Sequence, residues 1–486
     1  MMESMAKRFL FSLFALALFT INSYAQSNFV YINNNTSGGN SVSAYAVGAG
    51  GALTQVSGSP YATGGAGNSG SAYRSSMRAA ASIIGSFLYV ANEASNNVSV
   101  YTINPLSGAL ALVPGSPFAT GGIDEYGLSL AATPDNHYLV VANAGSANND
   151  GSISVLSIAA GGALMPVAGS PFAAQFHPSG VKISADGKFV YLTEPYNDQI
   201  AAYSIDSNGA LTAVPGSPFA NGGITLEMNC AGTLLFSPVL NFQTTKVNVF
   251  NVAANGALAL VQGSPFIFAG GVNNEAATLS PDDRFLFISN GNSNTVTVLN
   301  VAANGSLSAV PGSPFPNPGG NGPQQLTINQ SGTLLYVTNN NATVSVFNIA
   351  ANGMLTPAAG SSFAAPGAGS NPGIAAYPPK SCNVAPITYD VCIQDDTTND
   401  VLKWNSQTGD YLYTQCRRKS ITLGGKGKIN RSGCTITLQD ARPDRSIQAS
   451  FNSCAHYGTA TIYAASTGIT YTIKDPNTLK NTCRCP

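Results

Sequence analysis

A short refrain, Gly-Ala-Leu-x-x-Val-x-Gly-Ser-Pro-Phe, stands cleanly at residues 209–219 and constrains the chain more than any other feature. Its Ser-Pro core returns at Ser59-Pro60, Ser116-Pro117, Ser170-Pro171, Ser217-Pro218, Ser264-Pro265 and Ser313-Pro314. A worn seventh copy, Gly360-Ser361-Ser362-Phe363, lacks the proline. Successive serines lie 57, 54, 47, 47, 49 and 48 residues apart. A steady period of that size means one supersecondary unit repeated in a solenoid, a propeller or an array.

The unit from Gly271 to Phe315 shows what is repeated. Ala276-Ala277-Thr278-Leu279 reads as a short first strand, and Ser280-Pro281-Asp282-Asp283 as a type I turn. Phe285 to Ser289 is an apolar second strand, Asn290 to Asn294 a turn rich in residues that accept positive φ, and Thr295 to Val301 an alternating third strand. Asn304-Gly305 turns the chain into a fourth strand that ends in the refrain. Four antiparallel strands in under fifty residues make a propeller blade. Seven second strands can be traced, and their near-continuous hydrophobicity marks strands buried on both faces.

The phase of the repeat predicts how the ring closes. The first unit begins on a second strand at Phe29, and its missing first strand appears at Pro372 to Tyr377. Joining the two ends completes a seventh blade and leaves no open sheet edge. The refrain then reads as the outer strand of each blade and its exit, with proline withholding an N–H from that edge.

Only 9% of the 486 residues are charged, and no long amphipathic helical pattern occurs, which fits an all-β chain. Residues 1–25 have the form of a signal peptide: Lys7-Arg8, an apolar run from Phe9 to Phe19, and Ser23-Tyr24-Ala25 at the cleavage point. The expected location is secreted, periplasmic or at the cell surface, without a transmembrane segment. Residues 26–379 hold 6 basic and 13 acidic residues, whereas 380–486 hold 13 and 8. Seven of the eight cysteines also fall after residue 380. Two domains therefore meet near Pro379: a seven-bladed β-propeller over 26–379 and a Cys-rich β domain over 380–486.

Leu335-Tyr336-Val337-Thr338-Asn339, followed by Val344-Ser345-Val346-Phe347, resembles the YVTN repeat of bacterial and archaeal surface propellers and of lactonase-type seven-bladed propellers. The resemblance covers residues 28–378. It implies the propeller fold and, on the lactonase branch, hydrolysis of a sugar lactone as in 6-phosphogluconolactonase. That family's motif reads Gly-Pro-Arg-His before a turn, then a strand ending Asn-Glu. Asn92-Glu93 matches the strand end, but Ser76-Met77-Arg78 stands at the Pro-Arg-His positions. Gly322-Pro323-Gln324-Gln325 keeps Gly-Pro and replaces the two functional residues.

The loops entering the first strands rim the central channel, so chemistry is sought there. They carry Arg74, Arg78, Asp124, Glu125, Tyr126, His177, Glu227, Asn274, Glu275, Gln324, Gln325 and Asn371. Lactone hydrolysis needs an activated water and donors for the developing oxyanion. His177 is the candidate base, Arg78 or Arg74 the electrophilic partner, and Glu275 or Glu227 a further base or the ligand of a divalent cation. No motif for an organic cofactor, phosphate loop, zinc site or serine nucleophile is present. Cys230 stands where Pro281 stands in another unit and reads as a buried, unreactive thiol.

In the tail, Cys392, Cys416, Cys434, Cys454, Cys483 and Cys485 form an even set that reads as a disulfide framework, with Cys382 as an extra partner. Six cysteines allow fifteen pairings, which sequence does not choose among. A small β-sandwich or barrel is expected, with a basic surface around Arg417-Arg418-Lys419, Lys426, Lys428 and Arg431.

Two functions fit. The first is a non-catalytic exported propeller that binds a protein or carbohydrate partner, as the missing Arg and His suggest. The second is a lactone hydrolase at the channel mouth, with a small sugar lactone as substrate. Nucleic acid is not an expected partner of either.

Overall fold

The computed structural model describes residues 28–68, 81–123, 127–146, 150–174, 177–369 and 371–382, together with nine strands between residues 391 and 475. It divides into two compact units that meet between Cys382 and Asn383.

The first unit is a seven-bladed antiparallel β-propeller. Blades 1 to 6 occupy residues 81–119, 128–173, 181–220, 227–268, 274–316 and 323–364. The seventh, closing blade joins Asn28–Asn33, Ser41–Val47, Leu53–Gln55 and Tyr61–Ala62 to Gly373–Tyr377, which pairs with the first of them from Phe29↔Tyr377 to Asn33↔Gly373. The split unit read from the repeat phase therefore closes the ring.

Burial explains the second strands. Phe287 and Val298 of blade 5 pack with Leu335, Val337 and Phe347 of blade 6, and each such cluster is shared by two neighbours. Val30, Ile32 and Tyr45 of the closing blade meet Tyr336, Val344 and Val346 of blade 6 in the same way. A second strand between two sheets has no polar face to offer, hence its unbroken apolar run.

The refrain does more than end an edge. Its fourth strand is only three residues long, as at Leu211–Ala213, and pairs with the far half of the third strand. The chain then bulges outward through the refrain and returns as a two-residue fifth strand, Phe219–Ala220, beside the near half of that third strand. Between the two, one third-strand N–H has no strand partner. The refrain serine fills the gap: its hydroxyl accepts from Ala44, Val100, Val155, Ala202, Val249, Val298 or Val346 N–H at 2.8–3.0 Å in all seven blades. The worn copy keeps this bond through Ser361. The preceding glycine has φ of 79–89° in every copy, the left-handed conformation a type II turn requires.

The asparagine ending most second strands is also structural. Asn92 Nδ2 donates to Ser99 Oγ in its own blade at 2.7 Å, and its Oδ1 accepts from Asn40 of the preceding blade at 2.9 Å. Asn339 repeats the arrangement with Ser345 and Asn317.

The reading of Cys230 is corrected. Its sulfur is bonded to Cys382, 152 residues away. Cys382 is accordingly not a partner for the tail cysteines. Residues 378–382 leave the closing blade and run beneath the channel to blade 4, which is why the propeller unit extends three residues past Pro379. A proline in the corresponding turn of blade 5 hid the signal, since one cysteine among seven units looks like drift.

The second unit contains a four-stranded antiparallel sheet, Val391–Gln394 to Thr422–Lys426, and a five-stranded one, Lys428–Ser432 to Ile469–Asp475. The first strand of the smaller sheet lies beside the last of the larger. Of the expected disulfide framework of the tail, Cys392 alone falls in a described strand; the other five cysteines and the signal segment lie outside the described residues.

Candidate active site

Each first strand runs from the upper to the lower end of the channel, so its entry lies beside the turn joining second and third strands. Gly291 N–H to Asn273 O (2.8 Å) and Asn340 N–H to Gly322 O (3.2 Å) show this pairing. The upper mouth is built from these two sets of loops.

His177 enters blade 3 and is buried, at 8% exposure. Its Nδ1 lies 2.6 Å from Ala144 O in the upper turn of blade 2. A carbonyl only accepts, so Nδ1 carries the proton and the lone pair of the neutral ring is on Nε2. The Tyr196 ring, 4.9 Å away between centroids, fixes the other flank. Nearby Asp150 accepts from Ser146 N–H and from Ser146 Oγ at 2.9 Å. Those bonds hold its carboxyl below the usual range.

Blades 5 and 6 open with β-bulges at Asn274–Ala276 and Pro323–Leu326. A bulge re-aims side chains that a regular strand would bury against the next sheet. Asn273 Nδ2 donates to Glu275 Oε1. Asn274 Nδ2 donates to Val239 O at 2.8 Å, while its buried Oδ1 has no protein partner. Gln324 Nε2 donates to Gly322 O at 3.2 Å, and its Oε1 is likewise buried and unpartnered. Gln325 N–H donates to Thr338 Oγ1. Buried acceptors left unpaired within a protein are costly unless water or a ligand serves them.

Glu93 is buried at the mouth directly after Asn92. His177 and Glu275 enter blades two apart, on one arc of the rim. Arg74, Arg78, Asp124, Glu125 and Tyr126 lie outside the described residues.

Glu227 sits lower than expected. It lies within the first strand of blade 4 opposite Phe236, the place Thr278 holds opposite Phe287 in blade 5, because blade 4 has three fewer residues between its entry glycines and its second strand. Its carboxylate accepts from Lys380 Nζ at 2.6 Å and from Lys182 Nζ at 3.1 Å. Burial alone would raise this carboxyl, but the two ammonium groups outweigh it and hold it below the usual range. Lys380, on the segment beneath the channel, also donates to Thr278 Oγ1 (3.3 Å) and Leu279 O (3.2 Å), which uses its three donors. A carboxylate held by two ammonium groups has no room for a divalent cation. Among the described residues, no group of three or more His, Cys, Asp or Glu gathers as a metal site.

Sequence reasoning missed Glu194 and Lys182. Glu194 takes the place of the second-strand asparagine, and Ala201 takes the place of the hydroxyl that Asn92 finds in Ser99. Its Oε2 is buried without a partner, and burial pushes the carboxyl up to about 7. The signal was present in Tyr191-Leu192-Thr193-Glu194, where the repeat writes Asn.

No helix among the described residues is long and apolar enough to cross a membrane. In structural comparison, the periplasmic gluconolactonase of Pseudomonas aeruginosa is 21% identical with a TM-score of 0.57, over 72% of this chain and 99% of that one. A protein assigned as a 6-phosphogluconolactonase in Bacteroides fragilis is 22% identical with a TM-score of 0.55, over 73% and 99%. Its counterpart from Bacteroides uniformis is 17% identical with a TM-score of 0.56, over 72% and 99%. At these identities the likeness is one of fold. Comparison with curated protein sequences finds no match. The model of the family described as lactonase, 7-bladed beta-propeller, matches residues 79–212, 164–263 and 236–370, more than half of the 486 residues. The chain belongs to the lactonase family of seven-bladed β-propellers.

Proposed function

We propose that the protein hydrolyses a sugar lactone at the upper mouth of its channel. The observation that carries this reading is the buried His177 ring, oriented by Ala144 O and Tyr196 in a chain of the lactonase family. Nε2 takes a proton from water, the hydroxide attacks the lactone carbonyl, and the ring C–O bond breaks. The proton returns from His177 to the departing alkoxide, giving the open hydroxy acid. Arg78 and Arg74 are assigned by sequence to the developing oxyanion, and Glu275, Glu93 and Asn274 to the substrate hydroxyls. Export belongs to the same reading. It rests on the signal-like residues 1–25, and the periplasmic relative of the same fold supports it.

The non-catalytic reading rests on Gln324-Gln325 standing where the motif has Arg-His. Family membership favours hydrolysis over it, because His177 offers the missing imidazole from another blade. The test is turnover by purified protein of 1,4- and 1,5-lactones of hexoses, with and without a phosphate, followed by acid release. Turnover above the spontaneous rate is expected, reduced about 10²–10⁴-fold in His177→Ala. Wild-type protein inert on the whole panel, or a variant as active as wild type, refutes the proposal.

A further inference from the structure

The seven upper turns between second and third strands present the same position to the mouth, so their differences are informative. Five carry only small, polar or acidic residues, such as Glu93-Ala94-Ser95-Asn96 in blade 1 and Gly291-Asn292-Ser293-Asn294 in blade 5. Two carry an aromatic ring, and these belong to adjacent blades: Tyr196 in blade 3 and Phe242 in blade 4. Both are exposed, at 40% and 65%. Single exposed apolar residues are ordinary on any surface. Two in the same turn of neighbouring repeats, beside the candidate chemistry, are not scatter.

Neither ring hangs on a loose loop. Tyr196 packs against His177 with the two rings tilted by 55°. The Phe242 turn is tied by Asn241, whose Oδ1 accepts from Gln243 N–H at 2.8 Å and Thr244 N–H at 2.9 Å. Asn241 O also accepts from Asn273 N–H at 2.7 Å, which fixes the turn to the bulge that carries Asn274 and Glu275. The turn's backbone is thus fixed, while the apolar face of Phe242 stays in water when nothing is bound. Rigid aromatic rings with adjacent hydrogen-bonding groups are how proteins gain contact area at low entropic cost. The ligand such a pair suits is a saturated ring with one face of C–H groups and an equatorial rim of hydroxyls, a pyranose or its lactone.

We infer that Tyr196 and Phe242 form an aromatic sugar-stacking subsite on the arc of the mouth between His177 and Glu275. The inference rests on the proposed hydrolysis for the identity of the ring, and adds the residues that select a sugar. Phe242 is the cleaner probe, because Tyr196 also supports His177.

The experiment compares wild type, Phe242→Ala, Phe242→Leu and Phe242→Tyr. Turnover is read with glucono-1,5-lactone, and binding by calorimetry with gluconolactam, its unreactive amide analogue. Phe242→Ala and Phe242→Leu should raise KM about 5- to 10-fold, with the loss carried by KM rather than kcat, and weaken gluconolactam equally. Phe242→Tyr should restore both. Phe242→Leu equal to wild type would overturn the stacking role, as would KM and affinity unchanged in Phe242→Ala. If wild type turns over no lactone yet binds gluconolactam through Phe242, the subsite stands and the hydrolysis falls. If wild type binds no gluconolactam at all, the subsite falls, whatever the lactone assay gives.

Discussion

Replacing Cys230 and Cys382 by serine removes the one cross-link that spans the propeller unit outside its sheets. The bond closes a loop of 152 residues. Restricting an unfolded chain over a loop of that length corresponds to about 5 kcal/mol in the chain-entropy treatment, an upper bound because real unfolded chains are already compact. Serine at both positions leaves Lys380 free to keep its bonds to Glu227, Thr278 and Leu279, so the loss reads the cross-link rather than the ion pair. A double variant is preferable to a reductant, since six further cysteines follow Cys382. Trp404, the single tryptophan, lies in the tail unit, so propeller unfolding is followed by far-ultraviolet circular dichroism in urea. The expected outcome is a loss of about 3–5 kcal/mol, with the folded spectrum unchanged. A loss below about 1 kcal/mol would mean that the sheet closure at Phe29↔Tyr377 already restrains the chain end in both states, and would refute the reasoning.

Glu194 and the refrain serine give the remaining predictions. Burial raises the folded Glu194 carboxyl from its ordinary value to about 7, so the folded state holds an extra proton between those limits and stability declines as pH rises through that window. Glu194→Gln should flatten the profile and exceed wild type by about 2–3 kcal/mol at pH 8 in urea unfolding, and equal pH profiles for the two proteins would contradict this account. Ser217→Ala strands the buried Ala202 N–H and should cost about 1–2 kcal/mol, whereas Ser217→Thr should cost less; unfolding midpoints that do not order this way would remove the staple role.

The blade, its count and the ring closure were legible because four strands per period and a unit split between the two ends together select one architecture. The fifth strand was not, because Phe-Ala after Ser-Pro carries no alternation that two residues could display. Cys230 paired with Cys382 was not legible because the pairing spans 152 residues and crosses the axis of the ring, where no local pattern reaches. Of the mouth, His177, Asn274, Glu275, Gln324 and Gln325 could be placed by counting back from each second strand. Glu227 read as a rim residue because it follows Gly222-Gly223 just as Glu275 follows Gly270-Gly271, although blade 4 has three fewer residues before its second strand. The bulges at Glu275 and Gln324 were equally silent: an extra residue in a strand changes aim, not composition.

A repeat sets a default residue for each position of the blade, so a departure from the default measures what the fold alone does not ask for. Serine in the refrain and asparagine at the second-strand end are defaults, and both are explained by a hydrogen bond within the propeller. Glu194 for Asn, opposed by Ala201 instead of a hydroxyl, trades a satisfied bond for a buried carboxyl, a destabilising exchange at neutral pH. Cys230 for Pro ties down the segment that brings Lys380 under the channel. Tyr196 and Phe242 for small or polar residues expose apolar surface that packing would bury. These departures do not scatter around the ring. Those at the upper end lie in blades 3 and 4, next to the bulged entry of Glu275 in blade 5, so this arc of the mouth is where the repeat is asked for more than packing.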